Sequence, residues 1–286
     1  MKTTKWIALL AGWGLCFAQL AANAQEFKTH ITKEYQVKPG SVIAVYNIDG
    51  FIKVEGYAGD KVVIEIDETI KARDAAELER GKKEVKLGFD QKADSVIAYT
   101  AEPYDSRPHT RWIDDDSHPR RYYSVKLEYT LKVPYNVNLR VSTVNSGYVE
   151  VKDVTGSLKV NNVNGPITIT NAKGTTDART VNGGITANYL AIPNDASNYS
   201  TINGKLEITY PKNFAANLQF KSMNGEFYTD FPDTEFLPTQ VIITQDKKAD
   251  GTRYKLDKTT QIKVGAGGKL FKFETLNGNI YIKKQS

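Results

Sequence analysis

The sequence predicts an all-β fold, a β-solenoid or β-roll of short stacked coils, and three observations carry that expectation. Glycines stand at 147, 156, 165, 174 and 183, each nine residues after the last. The triplet apolar-Asn-Gly recurs in Val163-Asn164-Gly165, Val181-Asn182-Gly183, Ile202-Asn203-Gly204, Met223-Asn224-Gly225 and Leu276-Asn277-Gly278. Val144-Asn145-Ser146-Gly147 is the same motif with an inserted Ser. The second and fourth residues after the glycine are then apolar: Val149 and Val151, Ile167 and Ile169, Leu206 and Ile208, Ile280 and Ile282. A period of two is the mark of a strand with one buried face.

From Gly147 the motif glycines are spaced by 18, 18, 21, 21 and then 53 residues. One unit therefore reads as strand, Asn-Gly turn, strand and a second turn. Asn and Gly suit tight turns because both tolerate positive φ. A unit of 18–21 residues cannot cover its own apolar face. Stacked units can, in a continuous core. The alternative is a β-sandwich of hairpins, since Asn-Gly is also a strong hairpin signal. Thr or Ser precedes most motifs, at Thr143, Thr180, Thr201, Ser222 and Thr275.

The elements follow in order. Lys2 and Lys5 precede an apolar run from Trp6 to about Leu20, and Ala22-Asn23-Ala24 follows it. That is the layout of a secretory signal peptide over 1–24, too short and wrongly flanked for a membrane span. The expected destination is the periplasm or the cell surface. Cys16, the single cysteine, lies inside the run, so the exported part must hold together without disulfides. Residues 25–286 read as one domain, with irregular strands and a capping helix over 25–133 and regular Asn-Gly repeats over 134–286. Strands are expected at Val42–Val45, Phe51–Val54 and Val62–Ile66, and again at Val85–Phe89, Ser95–Ala101 and Tyr122–Val133. Between these groups, residues 74–83 (DAAELERGKK) have helix composition.

Two insertions stand out. Glu102 to Arg121 holds three prolines, His109, His118 and Asp114-Asp115-Asp116 among four arginines. It reads as a solvated loop, because the arginines would oppose a cation. Tyr228 to Gly268 reads as a turn-rich insertion with a hairpin. Lys283 and Lys284 are expected to guard an open sheet edge.

The formal charge is +5, near +3 once Lys2 and Lys5 leave (5 − 2), and the charges are interspersed. That pattern excludes a nucleic-acid footprint. No later apolar run is long enough to span a membrane as a helix. A nine-residue glycine period also marks calcium-binding β-rolls. Their paired glycines and aspartates are missing here, where Asp153 and Asp177 stand alone. No nucleophile elbow or phosphate-binding glycine loop occurs. The expectation is no catalytic, cofactor or metal residue, and a non-enzymatic chain. The outward strand positions are mixed: Tyr148, Glu150, Thr168, Thr186, Lys205, Glu207, Glu226, Tyr228 and Tyr281. Glu150 and Glu207 could serve a polysaccharide-active enzyme of β-helix type. They weigh more as ordinary exposed charges.

Leu131-Lys132-Val133-Pro134-Tyr135-Asn136-Val137 leads into the iterated Thr-Val-Asn-Gly-x-Ile-x-Ile units, and Tyr210-Pro211-Lys212 leads into Ser222-Met223-Asn224-Gly225 in the same way. With the signal peptide, these residues resemble the "putative adhesin" family of bacterial envelope proteins, a repeat-built domain of unknown function. The resemblance covers at least Leu131 to Ile282. It implies a β-solenoid in the envelope that presents its faces to a protein or glycan, with no ligand-binding residues to carry over. The remaining class is a purely structural or regulatory envelope component.

Overall fold

The computed structural model describes residues 25–108, 120–248 and 251–286, and within these the side chains outside 239–258. The signal peptide expected over 1–24 and most of the 102–121 loop lie outside the described residues. Among the described residues, twenty-one strands and one helix follow in chain order. They begin with β1 (Gln25–Gln36), β2 (Val42–Tyr46), β3 (Ile52–Tyr57) and β4 (Lys61–Ala72), then α1 (Ala75–Glu84), β5 (Lys86–Lys92), β6 (Ser95–Glu102) and β7 (Tyr123–Pro134). The short repeat strands are β8 (Asn138–Ser142), β9 (Val149–Lys152), β10 (Leu158–Asn161), β11 (Ile167–Ala172), β12 (Thr176–Arg179), β13 (Ile185–Tyr189), β14 (Asn198–Asn203) and β15 (Leu206–Tyr210). The chain ends with β16 (Ala216–Asn224), β17 (Phe227–Thr229), β18 (Thr234–Lys248), β19 (Gly251–Val264), β20 (Leu270–Asn277) and β21 (Ile280–Lys284).

The chain is all-β with one small helix, built as two large mixed sheets with no closed barrel among the described residues. The first sheet runs β1-β4-β7-β3-β9-β11-β13-β15-β21-β17 and the second β18-β19-β16-β20-β14-β12-β10-β8-β2-β6-β5. Two packed sheets are what the sandwich alternative expects. Within the repeat, however, neighbours are parallel and not hairpins. From β8 to β15 successive strands alternate between the sheets, and from β10 onward each pairs in parallel with the strand two places before it.

Spatial order departs from chain order at both ends. β2 and β3 lie between the β6/β7 pair and the β8/β9 pair. β20 and β21 slot between β14/β15 and β16/β17. The strand of Lys283 and Lys284 is not itself an edge, since the three-residue β17 covers Ile280–Ile282 and forms one edge of the first sheet, but Lys283 and Lys284 lie beyond that ladder and pair with β15 alone. The 53-residue spacing before Gly278 holds the long antiparallel pair β18/β19.

Alternation buries one face of each strand. Ile52, Val149, Ile167, Ile185, Leu206 and Ile280 are fully buried and in register across the first sheet. Ile43, Leu139 and Leu158 form a matching row in the second. The inward side chains of both sheets make one cluster that reaches from Ile43 to Ile282. Each such side chain stabilises the fold by about 1.5–3 kcal/mol. Three buried tyrosines sit in this core. The Tyr189 hydroxyl lies 2.6 Å from that of Tyr199, Tyr210 donates to Tyr199 at 3.3 Å, and Tyr189 also donates to Thr176. Burial pushes all three phenols well up, and the mutual hydrogen bonds satisfy groups that would otherwise be costly there.

The motif glycines are selected by contact. Of the glycines of the repeat Gly278 alone has positive φ, as does Gly50 of the Ile48-Asp49-Gly50 turn upstream. The turn argument from φ therefore fails for Gly147, Gly165, Gly183, Gly204 and Gly225. A Cβ on Gly183 would fall well inside 3.0 Å of the Gly165 carbonyl oxygen. Gly204 stands the same way against Gly183, and Gly165 against Gly147. The residue three before each glycine, or four before Gly147 with its inserted Ser, supplies the other half of the contact. Thr180 donates its hydroxyl to the Gly165 carbonyl at 2.9 Å, Thr143 to Gly50 at 2.8 Å, and Thr275 to Gly204 at 3.1 Å. At 162 an asparagine does the same work, reaching the Gly147 carbonyl at 3.0 Å. The motif asparagines form a ladder on the outside. Asn164 donates to Asn145 at 3.0 Å, Asn182 to Asn164 at 2.9 Å, Asn203 to Asn182 at 2.8 Å, Asn277 to Asn203 at 2.7 Å and Asn224 to Asn277 at 2.8 Å.

The helix begins where Asp74 accepts from the Glu77 backbone N–H at 2.9 Å, an N-cap. Gly81 lies inside the helix, where a Cβ would crowd the Ile70 and Tyr123 side chains at 3.0 and 3.1 Å.

Candidate binding face

The nine outward residues predicted from alternation fall together on the outer face of the first sheet. One row runs Lys53, Glu150, Thr168, Thr186, Glu207, Tyr281 and Tyr228 in register. Tyr148, Lys205 and Glu226 stand two residues before Glu150, Glu207 and Tyr228 and so point the same way.

Each end of the row carries an aromatic pair. Phe51 and Tyr148 stack with centroids 5.3 Å apart, and Lys53 Nζ lies 4.9 Å from the Phe51 centroid. Tyr228 and Tyr281 stack at 5.0 Å with their planes 8° apart. The Tyr228 hydroxyl donates to Glu226, and that carboxylate pushes the phenol pKa up. Between Tyr148 and Tyr281 lie four strand spacings, about 19 Å. Sequence reasoning placed the tyrosines on this face. It missed Phe51, which precedes the first strand of the row and pairs with a residue 97 positions away.

The two candidate carboxylates do not form a pair. Glu150 and Glu207 are separated by the strands of Thr168 and Thr186, so their Cα atoms are three spacings, about 14 Å, apart. Paired glycosidase carboxyls stand about 5–9.5 Å apart. Glu207 is also held by Lys205 at 2.7 Å and Lys283 at 2.6 Å, and these lysines hold its carboxyl below the usual range. No cluster of three or more His, Cys, Asp or Glu suited to a metal ion occurs among the described residues. His109, His118 and the three aspartates at 114–116 lie outside them.

Two other features merit description. A cavity of about 300 Å³ opens beside the end of α1, between Val85, Tyr104, Arg121, Tyr123, Val125 and Leu127. Asp49, on its wall, has a buried Oδ1 without a hydrogen-bond partner among the described residues. Beside it Glu84 accepts from Tyr123 Oη at 2.5 Å, Arg80 Nε at 2.7 Å and Arg121 Nε at 3.0 Å. Along the asparagine ladder the apolar residue of each motif points outward, and Val144, Ile202, Met223 and Leu276 are exposed.

No family model and no curated protein matches the chain. Solved structures resemble it at a distance. A putative cell adhesion protein from Clostridium sporogenes superposes with a TM-score of 0.41 at 9% identity, covering 90% of this chain and 100% of its own. For a putative adhesin from Bacteroides fragilis the values are 0.35 and 14%, with coverage of 90% and 97%. A putative lipid binding protein from Parabacteroides distasonis gives 0.33 and 11%, with coverage of 90% and 97%. No helix among the described residues is long and apolar enough to cross a membrane.

Proposed function

We propose that the protein is a non-enzymatic scaffold of the cell envelope, and that the outer face of its first sheet binds a glycan or a protein partner. One observation carries this reading: two stacked aromatic pairs bracket an in-register row of threonines and carboxylates. Aromatic rings offer apolar faces to sugar rings or partner side chains, and the hydroxyls and carboxylates between them take hydrogen bonds. We read the alternating parallel strands as a flattened β-solenoid, one domain over 25–286, whose stacked units hold that face rigid. The basic, apolar and small-residue order of 1–24 supports export to the periplasm or the cell surface.

A glycan array and cell-adhesion assays with the purified protein test the proposal. Binding that falls about tenfold in Tyr148→Ala and Tyr281→Ala variants of unchanged melting temperature is the expected result. No binding to glycans, matrix or cells sinks it.

A further inference from the structure

The outer face of the second sheet carries a site of different chemistry. β2, β8 and β10 run side by side there. Arg140 and Lys159 are register partners, and Tyr46, Ser142 and Asn161 form the next outward row. These residues bound a recess of about 350 Å³, completed by Arg107 and Pro108 from the segment after β6. The size falls in the range of small-ligand sites.

The recess presents cations. The Arg107 guanidinium stacks on Tyr99, 4.0 Å from the ring centroid, and is fixed by Asp105 at 2.6 Å and Asp90 at 3.1 Å. Neither carboxylate lines the recess. Arg140 and Lys159 have no ion-pair partner among the described residues. Asp177 is the other register neighbour of Lys159, but its carboxylate accepts from Arg179 Nε at 2.9 Å. Two like charges thus face each other across neighbouring strands about 4.8 Å apart, an arrangement that is unfavourable without a counter-charge.

We infer that this recess binds an oxyanion carried on a saccharide: the carboxylate or sulfate of an acidic glycan. Arg140 and Lys159 supply charge-assisted hydrogen bonds to the anionic group, while Arg107, engaged by Asp105 and Asp90, shapes the wall. The Tyr46, Ser142 and Asn161 side chains border the same space and suit sugar hydroxyls. A planar membrane surface reaches protruding basic groups, whereas these line a concavity. The outward row continues through Asp177 and Asn198 to Lys272, three strand spacings or about 14 Å beyond Lys159. A polymer with repeated charges therefore meets a second cation along the face. The site is separate from the aromatic row, which lies on the opposite outer face, so the two readings fail independently.

The test uses the full chain and calorimetric titration with four probes. These are oligogalacturonates, sulfated heparin fragments, neutral dextran oligomers, and vesicles of phosphatidylglycerol and phosphatidylcholine. Wild type is expected to bind at least one acidic saccharide about tenfold tighter than dextran, with affinity falling as salt rises from about 0.05 to 0.3 M. The acidic saccharide preferred identifies the oxyanion. The double variant Arg140→Glu with Lys159→Glu should bind about tenfold more weakly at unchanged circular dichroism. Lys38→Glu, in the turn before β2 and on neither outer face, should bind as wild type does. If the double variant does not fold, Arg140→Gln alone must show a loss. No binding to either acidic saccharide, undiminished binding by the variants, or tighter binding to the vesicles than to the saccharides overturns the inference.

Discussion

Thr201 donates its hydroxyl to the carbonyl oxygen of Gly183 at 2.8 Å, and that same oxygen stands where a Cβ on Gly204 would lie. The relationship recurs at Thr180 with Gly165 and Gly183, and at Thr275 with Gly204 and Gly278. The hydroxyl draws the carbonyl of the preceding unit in, and the missing side chain lets it come. Thr-x-Asn-Gly is thus a joint between adjacent units as much as a turn within one.

Gly204→Ala tests the steric half. Its Cβ would meet the Gly183 carbonyl and the Gly184 nitrogen, all backbone, so no flexible side chain can move aside. A loss of about 1–3 kcal/mol is expected, in line with overpacking of a well-filled interior. Urea unfolding followed by circular dichroism measures it, and an unchanged midpoint would refute the joint.

Thr201→Val tests the hydrogen-bonding half. The variant keeps the shape of a 2% exposed side chain and removes the donor. Leaving the Gly183 carbonyl short of a partner should cost about 1–3 kcal/mol, while Thr201→Ser should retain most of the stability. Because both variants act on one oxygen, the loss in the double variant with Gly204→Ala should depart from the sum of the single losses.

Much of this architecture was legible. Period two at Ile167 and Ile169, or at Leu206 and Ile208, marked the strands and their buried face, and the recurring Asn-Gly marked the unit. The outward set from Tyr148 to Tyr281 followed from the same alternation. What the repeat could not reveal was long-range order. Nothing local says that β21 pairs with β15 and leaves β17 at the edge, since that choice depends on how the 53-residue insertion folds. Nor does a glycine announce whether φ or crowding selected it. The cationic recess was hidden for a related reason: Arg140 and Lys159 are 19 residues apart, and only the register makes them neighbours.

At the capped end, Glu84 should govern acid sensitivity. Burial alone would raise its pKa. Hydrogen bonds from Tyr123, Arg80 and Arg121 outweigh that and hold the carboxyl at about 2. The folded value lies below the unfolded one. The stabilisation is therefore complete above the ordinary glutamate range and is lost as pH falls through about 2. Glu84→Gln should lower stability at pH 7 by about 1–3 kcal/mol and flatten the acid limb of the pH–stability curve. An acid limb as steep as that of wild type would show that other carboxylates control it.

Glu68 should act in the opposite direction. It occupies an inward position of β4, in line with Val62, Ile64, Ile66 and Ile70, and is only 9% exposed. Burial raises its pKa. The nearby Tyr129 hydroxyl is buried without a hydrogen-bond partner among the described residues. Burial first, and then the Glu68 charge, pushes that phenol up as well. Since the folded state holds the Glu68 proton more tightly than the unfolded chain, stability is greatest below the unfolded pKa. It falls as pH rises through the folded value and stays low above it. Glu68→Gln removes the charge while keeping the shape. It should be more stable than wild type at pH 7 to 8, with the difference closing as pH drops to about 4, where the wild-type carboxyl is protonated. Chemical denaturation of both proteins across that range measures the effect, and a variant less stable than wild type at pH 7 would mean that the ionised carboxylate has a favourable partner.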